Sequence, residues 1–272
     1  MQQEKDVVVG LGEIGKPIYK LLSKSLLTVG YDLNPKLIDG KKFTKYKNVN
    51  TRFIHICIPF SDKFIAQVKI ICENFSPKGV VIHSTIKPYT TRTLQSTLQI
   101  PVIYSATRGV HRRMNTDLKK YTKFFSIEKT APNQKWASNT YSKILKKVQI
   151  HSKKISSPLT LELAKIVVDT SYYGWLINYA QLSNMIAQEH GVDYDEMWSF
   201  ADDIHKFLGN RPKMFPGFIG GHCVIPNLDL IHNHTLNLIK EINDTYLKKV
   251  PKAKSINKKY DKSKKQSYDV TK

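Results

Sequence analysis

The sequence predicts an α/β protein: a doubly wound sheet over residues 1–155, an all-α domain with one long helix over 156–246, and a basic, disordered tail over 247–272. Three observations carry this. An unbroken apolar run, Val7-Val8-Val9, enters a Gly-x-Gly-x-x-Gly turn. Short apolar runs then alternate with helix-length segments as far as Ile150, the pattern of a parallel sheet with crossover helices. From Leu159 the period becomes helical and holds for about thirty residues without a proline.

The first unit is the most informative. Gly10-Leu11-Gly12-Glu13-Ile14-Gly15 leads through Pro17 into a helix carrying Ile18, Leu21 and Leu22. A second strand, Thr28–Asp32, places Asp32 about twenty residues past the first glycines. This is a Rossmann-like dinucleotide fingerprint in its full context. Gly10 makes the tight turn, Gly12 admits a pyrophosphate to the backbone, and Gly15 allows close helix–strand packing. Glu13 and Ile14 complete the set at the helix N-terminus, which faces the phosphates. Asp32 is placed to accept from ribose hydroxyls, which favours NAD over its 2′-phosphorylated form.

Later strands are expected at Phe53–Ile58, Gly79–His83, Val102–Tyr104, Phe124–Ile127 and Val148–Ile150, with a helix from Asp62 to Asn74. Ligands bind beyond the carboxyl ends of such strands, so Pro59, Thr85 and Arg108 fall on the ligand edge. A helix containing Trp136, Tyr141, Ile144 and Leu145 precedes the last strand. The long helix, 159–190, has a length suited to crossing a domain or oligomer interface. Further helices are expected at Asp193–Lys206 and Leu228–Tyr246, with a Gly-rich loop between them.

Composition narrows the class. The 272 residues are 41% hydrophobic and 24% charged, as in ordinary globular proteins, and no apolar run approaches a membrane span. The start has no apolar signal core, so a cytoplasmic protein is expected. Three scattered cysteines form no Cys-x-x-Cys, and the nine histidines form no metal-ligand set. The net charge is +21; ten lysines against two aspartates after Tyr246 leave +13 on the rest. Such a field attracts anions, and the tail is a candidate polyanion contact.

Gly220-Gly221-His222-Cys223 sits in the Gly-rich loop, with Pro226 and Asn227 beyond it. Glycines leave a thiol uncrowded, and a neighbouring cation or histidine favours thiolate. The same residues also describe a turn with an inert buried cysteine.

With these motifs placed, residues 6 to 230 resemble the UDP-glucose/GDP-mannose dehydrogenase family. The matches are Gly10–Pro17, Cys57-Ile58-Pro59, Ser84–Thr91, Glu162–Thr170 and Gly220–Cys223. The resemblance implies NAD-dependent oxidation of a primary alcohol through a cysteine thiohemiacetal and thioester, with a sugar nucleotide among the candidate substrates. It matches Cys223 to the nucleophile, Lys165 to the oxyanion-stabilising lysine and Thr85 to the threonine near the catalytic water. Asp169 and Asn227 fall on two further catalytic positions, and Arg108, Gly220, Gly221 and His222 on the substrate side. The long helix would be the dimerising one.

Several residues depart from the family pattern. Asp169 stands where the family has asparagine, and Asn227 where it has aspartate, a reciprocal exchange of amide and carboxylate. Thr107 replaces a glutamate associated with thioester hydrolysis, and Phe218 a glycine. The family's third domain has no counterpart among these residues. Two rival readings follow: a two-domain β-hydroxyacid-type dehydrogenase using Lys165 alone, and a non-catalytic NAD-binding scaffold.

Overall fold

The computed structural model describes residues 3–208, 216–220, 224–231 and 233–250. By their contacts the residues form two compact units, Met1–Lys165 and Ile166–Lys272.

The first unit runs β1 (Glu4–Val9), α1 (Gly15–Leu22), β2 (Thr28–Tyr31), α2 (Gly40–Lys45), β3 (Asn50–Ile56), α3 (Phe64–Phe75), β4 (Gly79–Ile82), α4 (Thr90–Thr97), β5 (Val102–Tyr104), α5 (Met114–Lys120), β6 (Lys123–Ile127), α6 (Gln134–Lys147), β7 (Ser152–Lys154) and α7 (Pro158–Leu163). Among the described residues these strands form one sheet in the order β2-β1-β3-β4-β5-β6-β7. β1 to β5 are mutually parallel. β6 is antiparallel to β5, a departure from the expected all-parallel pattern.

Alternation along the strands sends neighbours to opposite faces. Val8, Phe53, Val81, Ile103 and Phe125 pack beneath α1, α5 and α6. Val7, Val9, Ile54, Ile56, Val80 and Ile82 pack with Phe64, Val68 and Leu94 on the other side. Burial on both faces explains why these strands read as continuous apolar runs. The strand order reverses between β1 and β3, so the loops after those two strands flank the switch point of the sheet.

The strand expected at Val148–Ile150 is not one. Val148 ends α6, Gln149 takes a left-handed φ of 63°, and the exposed strand Ser152–Lys154 follows. Val148 and Ile150 are apolar because they turn into the core.

The expected long helix is helical throughout but not regular: after α7 comes a π-helical stretch, Ala164–Ser171, and then α8 (Tyr172–Glu189). The helix expected over Asp193–Lys206 is two, α9 (Tyr194–Ser199) and α10 (Asp202–Leu208). The last, expected from Leu228, begins only at His234 as α12 (His234–Lys249), capped by the Asn233 side chain accepting from the Leu236 amide, and a separate short α11 (Ile225–Leu228) lies in the segment expected to be loop. In this unit Ile219, Val224, Leu228 and Ile239 form a small core with Trp175 and Ile177. Beside it lies a buried amide network. Gln181 Nε2 donates to Gly217 O and Asn243 Oδ1, Asn178 Nδ2 donates to Gln181 Oε1, and the Ile219 amide donates to Asn243 Oδ1. Among the described residues no helix is long and apolar enough to cross a membrane.

Candidate dinucleotide and catalytic sites

The Gly10–Gly15 turn joins β1 to α1, and its glycines differ in what requires them. Gly10 has φ of 86°, and a Cβ there would lie 3.0 Å from the Cys57 carbonyl. A Cβ on Gly15 would fall 1.6 Å from Gly10 O. Gly12 is exposed, and a Cβ on it would meet nothing within 4 Å. The protein itself therefore needs glycine at 10 and 15 but not at 12. Bare backbone at Gly12 suits a group arriving from outside, and the pyrophosphate of a dinucleotide is such a group. α1 begins without a side-chain cap and without acidic residues in its first turn, with Glu13 just before its N-cap.

Asp32 follows β2, half-buried. Its Oδ2 accepts from the Leu11 amide at 2.6 Å and its Oδ1 from the Asn34 amide at 2.8 Å. Each oxygen retains a second lone pair for a ribose hydroxyl. The residues present thus fit a nicotinamide dinucleotide. Glu13 is exposed and Ile14 half-buried at the start of α1.

The other edge residues come from the loops after β3, β4 and β5. Pro59 is exposed and Thr85 half-buried, with Ser84 Oγ donating to Ile58 O at 2.5 Å to tie their two loops. Arg108 donates to Thr122 O at 2.9 Å, and its guanidinium lies 5.1 Å from the Phe124 ring centre. Glu162, fully buried on α7, accepts from the Tyr89 and Thr91 amides and the Thr91 hydroxyl, at 2.7, 2.9 and 2.6 Å. It thereby holds the start of α4, and with it the Thr85 loop, to the segment that ends at Lys165. Burial pushes the Glu162 pKa up, and these hydrogen bonds oppose the shift.

Lys165 and Asp169 lie four residues apart on the π-helical stretch, Lys165 half-buried and Asp169 exposed. π turns are rare and recur at functional sites. Asn227 is half-buried on α11 and Gly220 is exposed. Gly221, His222 and Cys223 lie outside the described residues, so the proposed nucleophile has no described geometry.

Sequence reasoning passed over a polar cluster in the core of the first unit. His55 Nδ1 and His83 Nε2 are 2.9 Å apart, with the rings stacked at 5.2 Å. Burial lowers the His55 pKa to about 4 and that of His83 well below the usual range. Lys123 lies beside them with a pKa lowered to about 7, chiefly by burial. Tyr141 donates to Ser105 Oγ at 3.0 Å, and burial pushes the Cys57 thiol up to about 12. A cavity of about 20 Å³, sized for one water, is lined by His55, His83, Lys123 and Tyr141. The available signal was a histidine interrupting each of two apolar strands. A larger cavity of about 410 Å³, lined by Lys5, Tyr31, Phe43, Asn74 and Phe75, contains none of the candidate site residues. Among the described residues no cluster of three or more His, Cys, Asp or Glu is arranged for a metal ion.

No family model matches the sequence, and no curated protein matches it. Solved structures do match. UDP-D-ManNAc dehydrogenase from Pyrococcus horikoshii is 19% identical with a TM-score of 0.72, over 89% of this chain and 68% of that one. UDP-N-acetyl-mannosamine dehydrogenase Cap5O from Staphylococcus aureus is 18% identical with a TM-score of 0.68, over 98% and 72%. 3-Hydroxyisobutyrate dehydrogenase from Mycobacterium tuberculosis is 12% identical with a TM-score of 0.58, over 91% and 87%. At such identities the likeness is one of fold, and the fold of this chain is the one these dehydrogenases share.

Proposed function

We propose that the chain is a nicotinamide-dinucleotide-dependent oxidoreductase, with NAD preferred. The observation that carries this is Gly12, a glycine the fold does not need, at the switch point of the sheet and beside an Asp32 that retains acceptor capacity. When bound, the dinucleotide supplies the hydride acceptor. The α1 N-terminus and the Gly12 backbone hold its phosphates, and Asp32 orients its ribose.

Within that class we read the substrate as a primary alcohol, with sugar nucleotides the first candidates because two of the similar structures are UDP-sugar dehydrogenases. Cys223 is the proposed nucleophile, adding to the aldehyde carbon. Lys165 stabilises the oxyanion that develops there. By the family resemblance, Asp169, Asn227 and Thr85 are assigned further catalytic roles, and Arg108, Gly220, Gly221 and His222 roles in holding substrate. A second copy of the chain is proposed to cover the exposed stripe Tyr172, Tyr179, Leu182 and Ile186 on α8.

The test is incubation with NAD and UDP-N-acetylmannosamine, following reduced nicotinamide and searching for an acyl group on Cys223 by mass spectrometry. Reduced nicotinamide formed with wild type and lost in Cys223→Ser supports this reading. The likeness to 3-hydroxyisobutyrate dehydrogenase favours a second one, in which Lys165 is the acid/base group and Cys223 is dispensable. Turnover of a β-hydroxyacid that survives Cys223→Ser but not Lys165→Met would select it.

A further inference from the structure

Lys123 opens β6, a position that reads as solvent-facing, yet it is 6% exposed. Its Nζ lies 2.8 Å from Thr107 Oγ1 and 3.1 Å from Ala106 O. Both acceptors stand just past the carboxyl end of β5, the edge on which such sheets carry their ligands. The groups around Lys123 are His55 on β3, Cys57 after it, His83 after β4, Arg108 after β5, Tyr141 on α6 and Lys165 after α7. No carboxylate of the described residues is in ion-pair contact with Lys123. Burying an ammonium without a counter-charge is costly, and two further cations raise that cost. Burial first, then Lys165 and Arg108, hold the amine near a pKa of about 7.

We propose that Thr107 and Lys123 form a hydroxyl–amine acid/base pair at the end of β5, through which an alcohol or water reacting at that edge loses its proton. Thr107 is the group that touches the substrate; Lys123 acts through it. The reacting O–H gives its proton to Thr107 Oγ1 while Thr107 passes its own to Lys123 Nζ. Thr107 stays neutral and Lys123 becomes the ammonium. Lysine serves hydroxyl groups in this way in serine–lysine catalytic pairs. The use of the pair in alcohol oxidation rests on the oxidoreductase reading, whereas the pair itself does not.

The two are separated by a probe that needs no dinucleotide. With p-nitrophenyl acetate and the full chain, Thr107 Oγ1 bonds to the acetyl carbon, nitrophenolate leaves, and the hydroxyl proton goes to Lys123. Peptide mass mapping should find an acetyl ester on Thr107, formed faster as pH rises through about 7. Thr107→Ser should retain it. Lys123→Arg keeps charge and donors but cannot accept a proton, and should slow it on the order of 100-fold. Lys123→Met should do the same in a smaller volume, with a cooperative urea unfolding transition reporting that each variant is folded. An unmodified Thr107 in wild type overturns the pair, as does a rate independent of pH from about 6 to 8. Equal acetylation in a folded Lys123 variant overturns it too. Absence of alcohol turnover alongside Thr107 acetylation would instead count against the oxidoreductase reading alone.

Discussion

Asp32 Oδ2 accepts a 2.6 Å hydrogen bond from the Leu11 amide, so the carboxylate proposed to hold a ribose also shapes the glycine turn. Asp32→Ala should weaken NADH binding roughly 10- to 100-fold, the range of a hydrogen bond to a charged group. It should also narrow the gap between NADH and NADPH. Fluorescence titration with both dinucleotides measures this, and unchanged affinities would remove Asp32 from the site.

The three glycines should separate stability from binding. Gly12→Ala places a methyl in open space, so its unfolding midpoint should match wild type while NADH binding falls roughly tenfold or more. Gly15→Ala drives Cβ into Gly10 O and should cost about 3 kcal/mol of stability. Urea unfolding beside NADH titration distinguishes the two.

Buried Lys123 makes stability depend on pH with a definite sign. Its folded pKa is about 7 against 10.5 unexposed to burial, so between those values the unfolded chain binds the extra proton. Stability should therefore fall as pH drops from about 10.5 to 7 and level off, for this group, below that. His55, at about 4 against 6.5, adds a further loss between those values, and His83 acts in the same direction. Urea midpoints should rise with pH from about 4 to about 9, above which the raised Cys57 thiol opposes the trend, and Lys123→Met should flatten the part above about 7. A slope identical in wild type and Lys123→Met would mean that Lys123 is solvated.

Tyr172, Tyr179, Leu182 and Ile186 recur at helical spacing and are all exposed, Tyr179 by 63%. The proposed second copy predicts a dimer by sedimentation that Tyr179→Glu with Leu182→Glu converts to monomer. Sedimentation as monomer in wild type would leave the stripe without that partner.

The sheet was legible because its central strands are buried on both faces, and Val7–Val9 or Val102–Tyr104 can hardly be read otherwise. Short polar elements were not. α2 (Gly-Lys-Lys-Phe-Thr-Lys) and α5 (Met-Asn-Thr-Asp-Leu-Lys-Lys) carry too little periodicity, and β7 (Ser-Lys-Lys) is exposed while apolar Val148 and Ile150 drew the strand assignment. The break between α9 and α10 at Phe200-Ala201 involves no glycine or proline and left no local trace. The glycine turn and Asp32 were readable because a motif and its spacing encode them. Lys123 was not: its burial is imposed by strands distant in sequence, and a lysine heading a strand ordinarily points to water.

Asn178, Gln181 and Asn243 join α8 and α12 to the backbone at Gly217 and Ile219, and each satisfies another. A swap of Gln181 alone for leucine would take a hydrogen-bond partner from both asparagines, in a place water does not reach. Change at Gln181 therefore carries a cost at both asparagine positions. The stretch entering Gly220 inherits that rigidity whatever chemistry follows it.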